Sequence, residues 1–366
     1  MKTTGSGRGA EMLSLFFAAG TALWAATLRD IAGSGIHYAI CSAAVTAACA
    51  CMLAAAAGRG GTGAMAAAAF ACGLFCAASD ALPGVGCGSA APGALRRTAS
   101  AAAGYLQGVL DTIPFPRSGT APILHAVILG DRSLLDSGTV RLFRDAGASH
   151  LLALSGLHMG IIYLLFTRLT SFTGNFPAAK ALKYAATIAL SGFYTIMTGA
   201  SPSTVRAFLF IFLNESIKIL GRRRSPAKVL CAALTLQLAA VPSVIASAGF
   251  QLSYLAMSGI FFIHPSLSAM YRGGRFDPVK KIWDAATLAL ACQISTAPLA
   301  WFRFRSFPAY FLITNLTAVP LTACIVAVSA ATLALSAAGL CPPALVRLDD
   351  ALVTLLTHCL EIICEM

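Results

Sequence analysis

Charge is what this sequence has least of. Only 11% of its 366 residues are Asp, Glu, Lys or Arg, against 58% hydrophobic residues and a mean hydropathy of +0.78. A soluble globular domain carries about a quarter charged residues, so this composition excludes the extracellular and cytosolic enzyme classes. Acidic residues are scarcer still, 14 against 26 Lys and Arg, which leaves +12. In a soluble protein that surplus would indicate a polyanionic partner. In a membrane protein, most of it is accounted for by the basic loops that fix topology. Metal-ligand spacing is missing as well. The 12 cysteines, among them Cys41, Cys72, Cys231, Cys292 and Cys364, mostly lie in apolar runs and behave as small hydrophobes, so neither a metal nor a cofactor is expected. No GxxxxGK[ST] string occurs, and the chain therefore lacks a phosphate loop with which to drive its own work.

What it does have is apolar runs. Crossing a bilayer takes about 20 apolar residues, and such runs recur at residues 12–28, 36–57, 62–78, 151–165, 178–197, 203–220, 227–241, 244–263, 282–302, 308–335 and 345–364. The expected fold class is all-α, a polytopic helical membrane protein of about ten to eleven transmembrane helices with an interfacial amphipathic segment. Lys2 and Arg8 precede the first run as in a secretory signal, but the spans that follow favour an uncleaved helix. Residues 1–79 form the amino-terminal helices, Ala-rich and nearly devoid of functional side chains. Residues 80–120, with four prolines and many glycines, form an extramembrane connector with one possible helix at 95–110. Residues 121–366 form the main membrane domain. Pro320 inside the 308–335 run predicts a kinked or broken helix.

Topology follows from the basic loops. Residues 218–228 carry Lys218, Arg222, Arg223, Arg224 and Lys228 without an acid, which places them in the cytoplasm. Two spans onward, Arg272, Arg275, Lys280 and Lys281 fall on the same side, and two spans back so do Arg168, Lys180 and Lys183. The amino terminus is then cytoplasmic, while the connector and His150 lie outside. Arg96, Arg97, Arg117, Arg132, Arg141 and Arg144 stand on the outer face, where the topology rule gives them no reason to be.

Residues 121–165 organise the rest. Pro122 can open a short helix, the string Gly130-Asp131-Arg132-Ser133 breaks it, and an amphipathic turn with Arg141, Arg144 and Asp145 stops near Gly147. A membrane helix then begins near His150. It carries a small-residue stripe of Ser149, Ala153, Gly156 and Gly160, which lets a neighbour approach closely. Ser155 and His158, three apart, fall on another face and can touch. Polar groups there are costly; they either hydrogen-bond a neighbouring helix or serve a site. Further on, the string 198–206 joins two spans on the outer side. Pro202 suits the first helical position with Ser201 as its cap. Arg206 then lies in the first turn, where the helix dipole disfavours a cation. Either an internal partner such as Asp131 compensates, or an external phosphate does. Gly249, Gln251, Asn315 and Pro320 place amides near helix breaks, as interhelical glue or as a polar path.

In chain order, GDRS, AGASHLLALSGLHMG, TGASPSTVRAF, AGFQLSY and NLTAVPL closely resemble the competence domain of the ComEC family of DNA-uptake proteins, over residues 121–340. The resemblance implies a multi-pass channel in the cytoplasmic (inner) membrane that passes one strand of DNA during natural transformation. Its motif residues here are Asp131, Arg132, His150, Ser155, Gly156, His158, Ser201, Pro202, Arg206, Gly249, Gln251, Asn315 and Pro320. Many family members also carry an oligonucleotide-binding-fold domain and a metallo-β-lactamase-like domain. Neither is expected within these residues, so a nuclease is expected in trans.

The implied partners are single-stranded DNA, membrane lipid, a separate DNA receptor, a nuclease, a cytosolic ATP-driven motor and a second copy of the chain. No catalytic residue is expected. Two alternatives stand beside the channel. One is a small-solute transporter, although no clear internal repeat is visible. The other is an intramembrane serine hydrolase using Ser155 and His158, whose one-turn spacing is poor geometry for proton transfer and which leaves the outward arginines unexplained.

Overall fold

The computed structural model describes residues 15–22, 70, 93–170, 177–221, 225–274, 277–305 and 310–365. Among these, all regular structure is helical. The expected spans at 36–57 and 62–78, and most of 12–28, lie outside the described residues. So does most of the 80–120 connector before its helix.

From residue 93 onward we number the helices α1 (Gly93–Thr112), α2 (Thr120–Leu124), α3 (Ser137–Asp145), α4 (Gly156–Leu169), α5 (Pro177–Met197), α6 (Pro202–Ile219), α7 (Pro226–Ala240), α8 (Ala248–Ser258), α9 (His264–Ser268), α10 (Pro278–Phe304), α11 (Phe311–Ala337) and α12 (Pro343–Glu365). Wider π turns extend α2 through His125–Leu129 and α8 through Gly259–Ile263. The chain divides into two compact units, one of residues 1–90 and 212–254, the other of 91–211 and 255–366.

In the second unit the core is built on the α11–α12 hairpin. Ile325, Val326 and Leu333 of α11 and Val346, Val353, Leu356 and Leu360 of α12 are all buried and belong to one cluster. Burial of each such side chain contributes about 1.5–3 kcal/mol. A polar tie runs through this apolar contact. Asp349 is completely buried and accepts hydrogen bonds from Ser329 Oγ at 2.7 Å and Thr332 Oγ1 at 2.6 Å. A carboxylate so placed must have partners, and two hydroxyls one turn apart on α11 supply them.

Several sequence expectations change here. The stretch from Ile123 to Leu129, where a short helix was expected, is wholly buried in the α11–α12 cluster. The 137–145 segment, α3, is amphipathic, and of its residues only Phe143 is buried. The 244–263 run is not one span, since Pro242–Ala246 forms a 3-10 turn before α8 starts. Among the described residues, two helices are long and apolar enough to cross a membrane, α10 and α11. The others fall short for a physical reason: α4 and α7 are only 14 and 15 residues long, and α12 interrupts its apolar pattern with Arg347, Asp349 and Asp350. Pro320 does not break α11, which runs on as helix to Ala337.

In the first unit, α7 and α8 are tied by Tyr254, whose hydroxyl donates to Gln237 Oε1 at 3.0 Å. Both residues are buried.

Candidate functional site

The irregular backbone between α3 and α4, residues 146–155, is where the motif residues of the second unit meet. It follows Gly147, whose φ of +76° ends the preceding turn. Leu151, Leu152 and Leu154 are buried, so this is apolar chain without a helix to satisfy its carbonyls, and each buried carbonyl needs another partner. Four side chains from distant segments supply such bonds in and around the turn. Arg132 Nε donates to the Leu152 carbonyl at 2.9 Å, and Ser203 Oγ to the Leu154 carbonyl at 2.8 Å. Thr314 Oγ1 donates to the Ala146 carbonyl at 2.7 Å, and Tyr194 OH to the Ile128 carbonyl at 2.7 Å.

The capture of this backbone displaces the helix start expected near His150. The segment from His150 to Leu154 turns, and α4 begins only at Gly156, with Ser155 extended at φ −118° and ψ 172° as its cap. Consequently Ser149 and Ala153 share no helical stripe with Gly156 and Gly160. Ser155 and His158 do touch, as a capping box. Ser155 Oγ accepts the Leu157 N–H at 3.2 Å, His158 Nδ1 accepts the Ser155 backbone N–H at 3.1 Å, and Oγ lies 2.9 Å from Nδ1. His158 is completely buried, and its Nε2 has no hydrogen-bond partner. His150 is exposed.

Gly130 closes the helix before the turn with φ +78°, and a Cβ there would stand 2.5 Å from Leu154 Cδ1. Asp131 is held locally. It accepts from the Ser133 backbone N–H at 2.9 Å and from Gln107 Nε2 of α1 at 3.1 Å. The Ser133 amide holds its carboxyl below the ordinary value of 3.8. Ser201 caps α6 as expected, accepting the Thr204 N–H at 3.3 Å, and Pro202 is the first helical residue. Arg206 is buried on the fifth residue of α6, and its Nη2 is 3.1 Å from where a Gly156 Cβ would be. A guanidinium thus sits beside the N-terminus of α4, while the N-terminus of its own helix grips Leu154. Both helix ends carry positive dipole character. Arg96, Arg97, Arg117, Arg132, Arg141 and Arg144 are all exposed.

Not every expected residue joins this site. Gln251 and Gly249 belong to the other unit, where Gln251 Nε2 donates to the Ile245 carbonyl at 2.8 Å. Asn315 is half-buried beside Thr314 on α11. Sequence reasoning missed Tyr194, Thr314, Gln107 and the role of Ser203. The buried Tyr194 hydroxyl is one signal that could have found its residue, since such a group requires an acceptor.

Residues 127–366 match the competence protein family. The chain belongs to that family. It is 28% identical over 203 residues to ComE operon protein 3 of Bacillus subtilis, covering 54% of this chain and 24% of the relative. To competence protein ComA of Neisseria gonorrhoeae it is 28% identical over 206 residues, covering 54% and 28%. Recombination protein 2 of Haemophilus influenzae is 25% identical over 213 residues, covering 54% and 26%. The chain thus spans about a quarter of the length of the curated relatives it matches. No solved structure matches it. Both relatives named first are of the ComEC type, as the GDRS and HLLALSGLH strings imply. The matched region contains Asp131, Arg132, Ser155, His158, Ser201, Ser203 and Arg206, while Gln107 lies before it.

Proposed function

We propose that this competence-family chain is a multi-pass channel of the cytoplasmic membrane that passes one strand of DNA into the cell during natural transformation. The observation that carries the reading is the buried turn at 146–156, on which the GDRS, HLLALSGLH and TGASPSTVR strings converge with the Arg206 guanidinium between two helix N-termini. Passing any sequence requires contact with phosphates and not with base edges. Positive helix ends and a guanidinium suit a phosphodiester chain, and the six exposed arginines outside the turn extend the same potential. The composition supports a polytopic membrane topology of ten to eleven spans, with the amino terminus cytoplasmic. A separate receptor, a nuclease, a cytosolic ATP-driven motor and further copies of the chain complete the machine.

Labelled-strand entry into the cytosol of a strain deleted for this chain tests the reading, and normal entry in that strain refutes it. At matched abundance, Arg206→Ala should lower strand entry at least tenfold, while Arg206→Lys restores it only in part because a planar fork of donors is lost. Wild-type entry with Arg206→Ala would remove the phosphate role.

One contact favours a second reading, an intramembrane serine hydrolase, because Ser155 Oγ and His158 Nδ1 lie 2.9 Å apart. Both atoms are already used in capping α4, however. We read the pair as a cap without catalysis. Covalent modification of Ser155 by a fluorophosphonate probe would reverse that choice.

A further inference from the structure

On either side of residues 275–276, the segments that lead into α10 are tied together by their own polar groups. Lys280 Nζ donates to the Ser268 carbonyl at 2.7 Å, to Ser268 Oγ at 3.0 Å and to Asp284 Oδ1 at 2.7 Å. Trp283 Nε1 donates to the Leu267 carbonyl at 3.2 Å, and Tyr271 OH to Asp277 Oδ2 at 3.0 Å. Asp277 also caps α10 by accepting the Val279 N–H at 2.9 Å. At Gly273 a Cβ would fall 2.4 Å from Asp277 Oδ2 and 2.8 Å from Lys280 Cβ, so only glycine allows so close a turn.

The turn they form presents an unusual surface. Met270, Val279 and Ile282 are 73%, 55% and 57% exposed, large apolar side chains on a face where a soluble protein would place polar ones. Arg272 and Lys281 are exposed among them. The two nearby carboxylates are engaged within the turn, Asp284 by Lys280 and Asp277 by Tyr271 and the helix cap. Tyr271 and Trp283 pair with ring centroids 6.3 Å apart. Apolar side chains, an aromatic pair and unneutralised cations occur together where a protein meets the headgroup layer of a bilayer. The turn is also continuous with α10, one of the two helices long and apolar enough to cross a membrane, so its first turn is the part that would emerge.

We propose that residues 270–274 and 277–283 form a preformed docking surface for the phosphate headgroups of an anionic phospholipid leaflet, with Arg272 and Lys281 reading the charge and Met270, Val279 and Ile282 entering the acyl boundary. This rests on the membrane reading above and adds to it a lipid class and the residues that select it. Because the turn is braced before any lipid arrives, little ordering accompanies contact. The attraction is electrostatic at the surface and weakens with salt.

The test uses the full chain reconstituted in vesicles, with Trp24→Phe and Trp301→Phe leaving Trp283 as the single indole. Flotation with the vesicles checks the membrane reading by itself. Quenching of Trp283 is then compared for lipids brominated near the headgroup or deep in the chain, and for bromine carried on phosphatidylglycerol or on phosphatidylcholine at equal mole fraction. Shallow bromine should quench more than deep bromine. Quenching by the anionic lipid should exceed that by the zwitterionic one at least twofold in low salt. Replacing both cations, Arg272→Gln with Lys281→Gln, should abolish the headgroup preference and leave the depth profile unchanged. Flotation without quenching would mean that water or a protein covers this face, and equal quenching by both headgroups would mean that charge plays no part; either result overturns the proposal.

Discussion

Gly130→Ala tests most directly whether the buried turn is built as described. Two costs are separable. An alanine at φ +78° pays for the left-handed region, about 1–2 kcal/mol. Its Cβ would also lie 2.5 Å from Leu154 Cδ1 and 3.2 Å from Leu154 Cγ. Leu154 is buried and its carbonyl is held by Ser203, so the side chain and not the backbone must yield, at about 1–3 kcal/mol for an overpacked site. The single substitution should therefore destabilise by about 2–5 kcal/mol. Leu154→Ala alone removes a buried leucine and should cost about 2–5 kcal/mol. In combination the clash disappears and only the backbone cost of Gly130→Ala remains, so the double variant should be more stable than additivity predicts by about 1–3 kcal/mol.

The assay is the thermal midpoint in one detergent at fixed protein concentration, read beside strand entry in cells. A conversion on the order of 2 °C per kcal/mol makes the non-additive part measurable. Gly160→Ala is the internal control, because nothing lies within 4 Å of its added Cβ and a helical glycine replaced by alanine gains about 0.5–1 kcal/mol. Strict additivity of Gly130→Ala and Leu154→Ala would refute the contact. A harmless Gly130→Ala would refute the left-handed cap as well.

Three further outcomes are expected. Ser155→Ala should lose about 1 kcal/mol of capping yet keep substantial strand entry, since the backbone N–H at 155 still reaches His158, whereas Ser155→Leu should block entry by filling the space; equal loss in both variants would favour hydrolysis. Asp131 titrates below its ordinary 3.8, so its stabilising share is complete above that value and is lost as pH falls through the lower folded one. The thermal midpoints of wild type and Asp131→Asn should accordingly differ by a constant amount from pH 5 to pH 8 and converge below about pH 3.8, and a gap that persists in acid would contradict the Ser133 and Gln107 contacts. For topology, Ser118→Cys and Arg223→Cys, in a background cleared of native thiols, should react with an impermeant reagent from opposite faces of the membrane, and labelling of both from the outer face would overturn the orientation.

Local features of the site were legible because they obey short-range rules. Ser201 before Pro202 reads as a cap and is one; Gly130 reads as a break and is one; the three-residue spacing of Ser155 and His158 brings them together. What the spacing could not show was that their contact is a capping box at the true start of α4. Four apolar residues from Leu151 to Leu154 look helical because periodicity counts only side chains. The competing demand comes from Arg132, Ser203 and Thr314, distant in sequence, which take the carbonyls that a helix would have used. No local pattern records such bonds. Depth was equally hidden: nothing in the run from Ile123 to Leu129 marks it as core, yet it fills the core beside α11 and α12. The two last helices were legible as long apolar runs at 308–335 and 345–364, but their pairing through Asp349, Ser329 and Thr332 was not.

The bonds to the Ile128, Ala146, Leu152 and Leu154 carbonyls are individually modest, about 1 kcal/mol net each, but leaving one such group buried and unpaired costs about 1–3 kcal/mol. Four donors from four segments hold these carbonyls, and loss of any one of them leaves its carbonyl to find another partner. Irregular backbone at membrane depth persists only where protein buries it or where it lines a water-filled cavity. The turn at 146–155 has the first condition among its leucines. At its far end, where Ser155 caps α4 and Arg206 lies against Gly156, the surroundings change to hydroxyls, a guanidinium and two helix N-termini. On the proposed channel reading, a phosphate strand is best met by positive groups fixed in place, because mobile ones lose their advantage in ordering. Three hydroxyls and the Arg132 guanidinium hold these carbonyls, and Arg206 lies against the start of α4 that follows them.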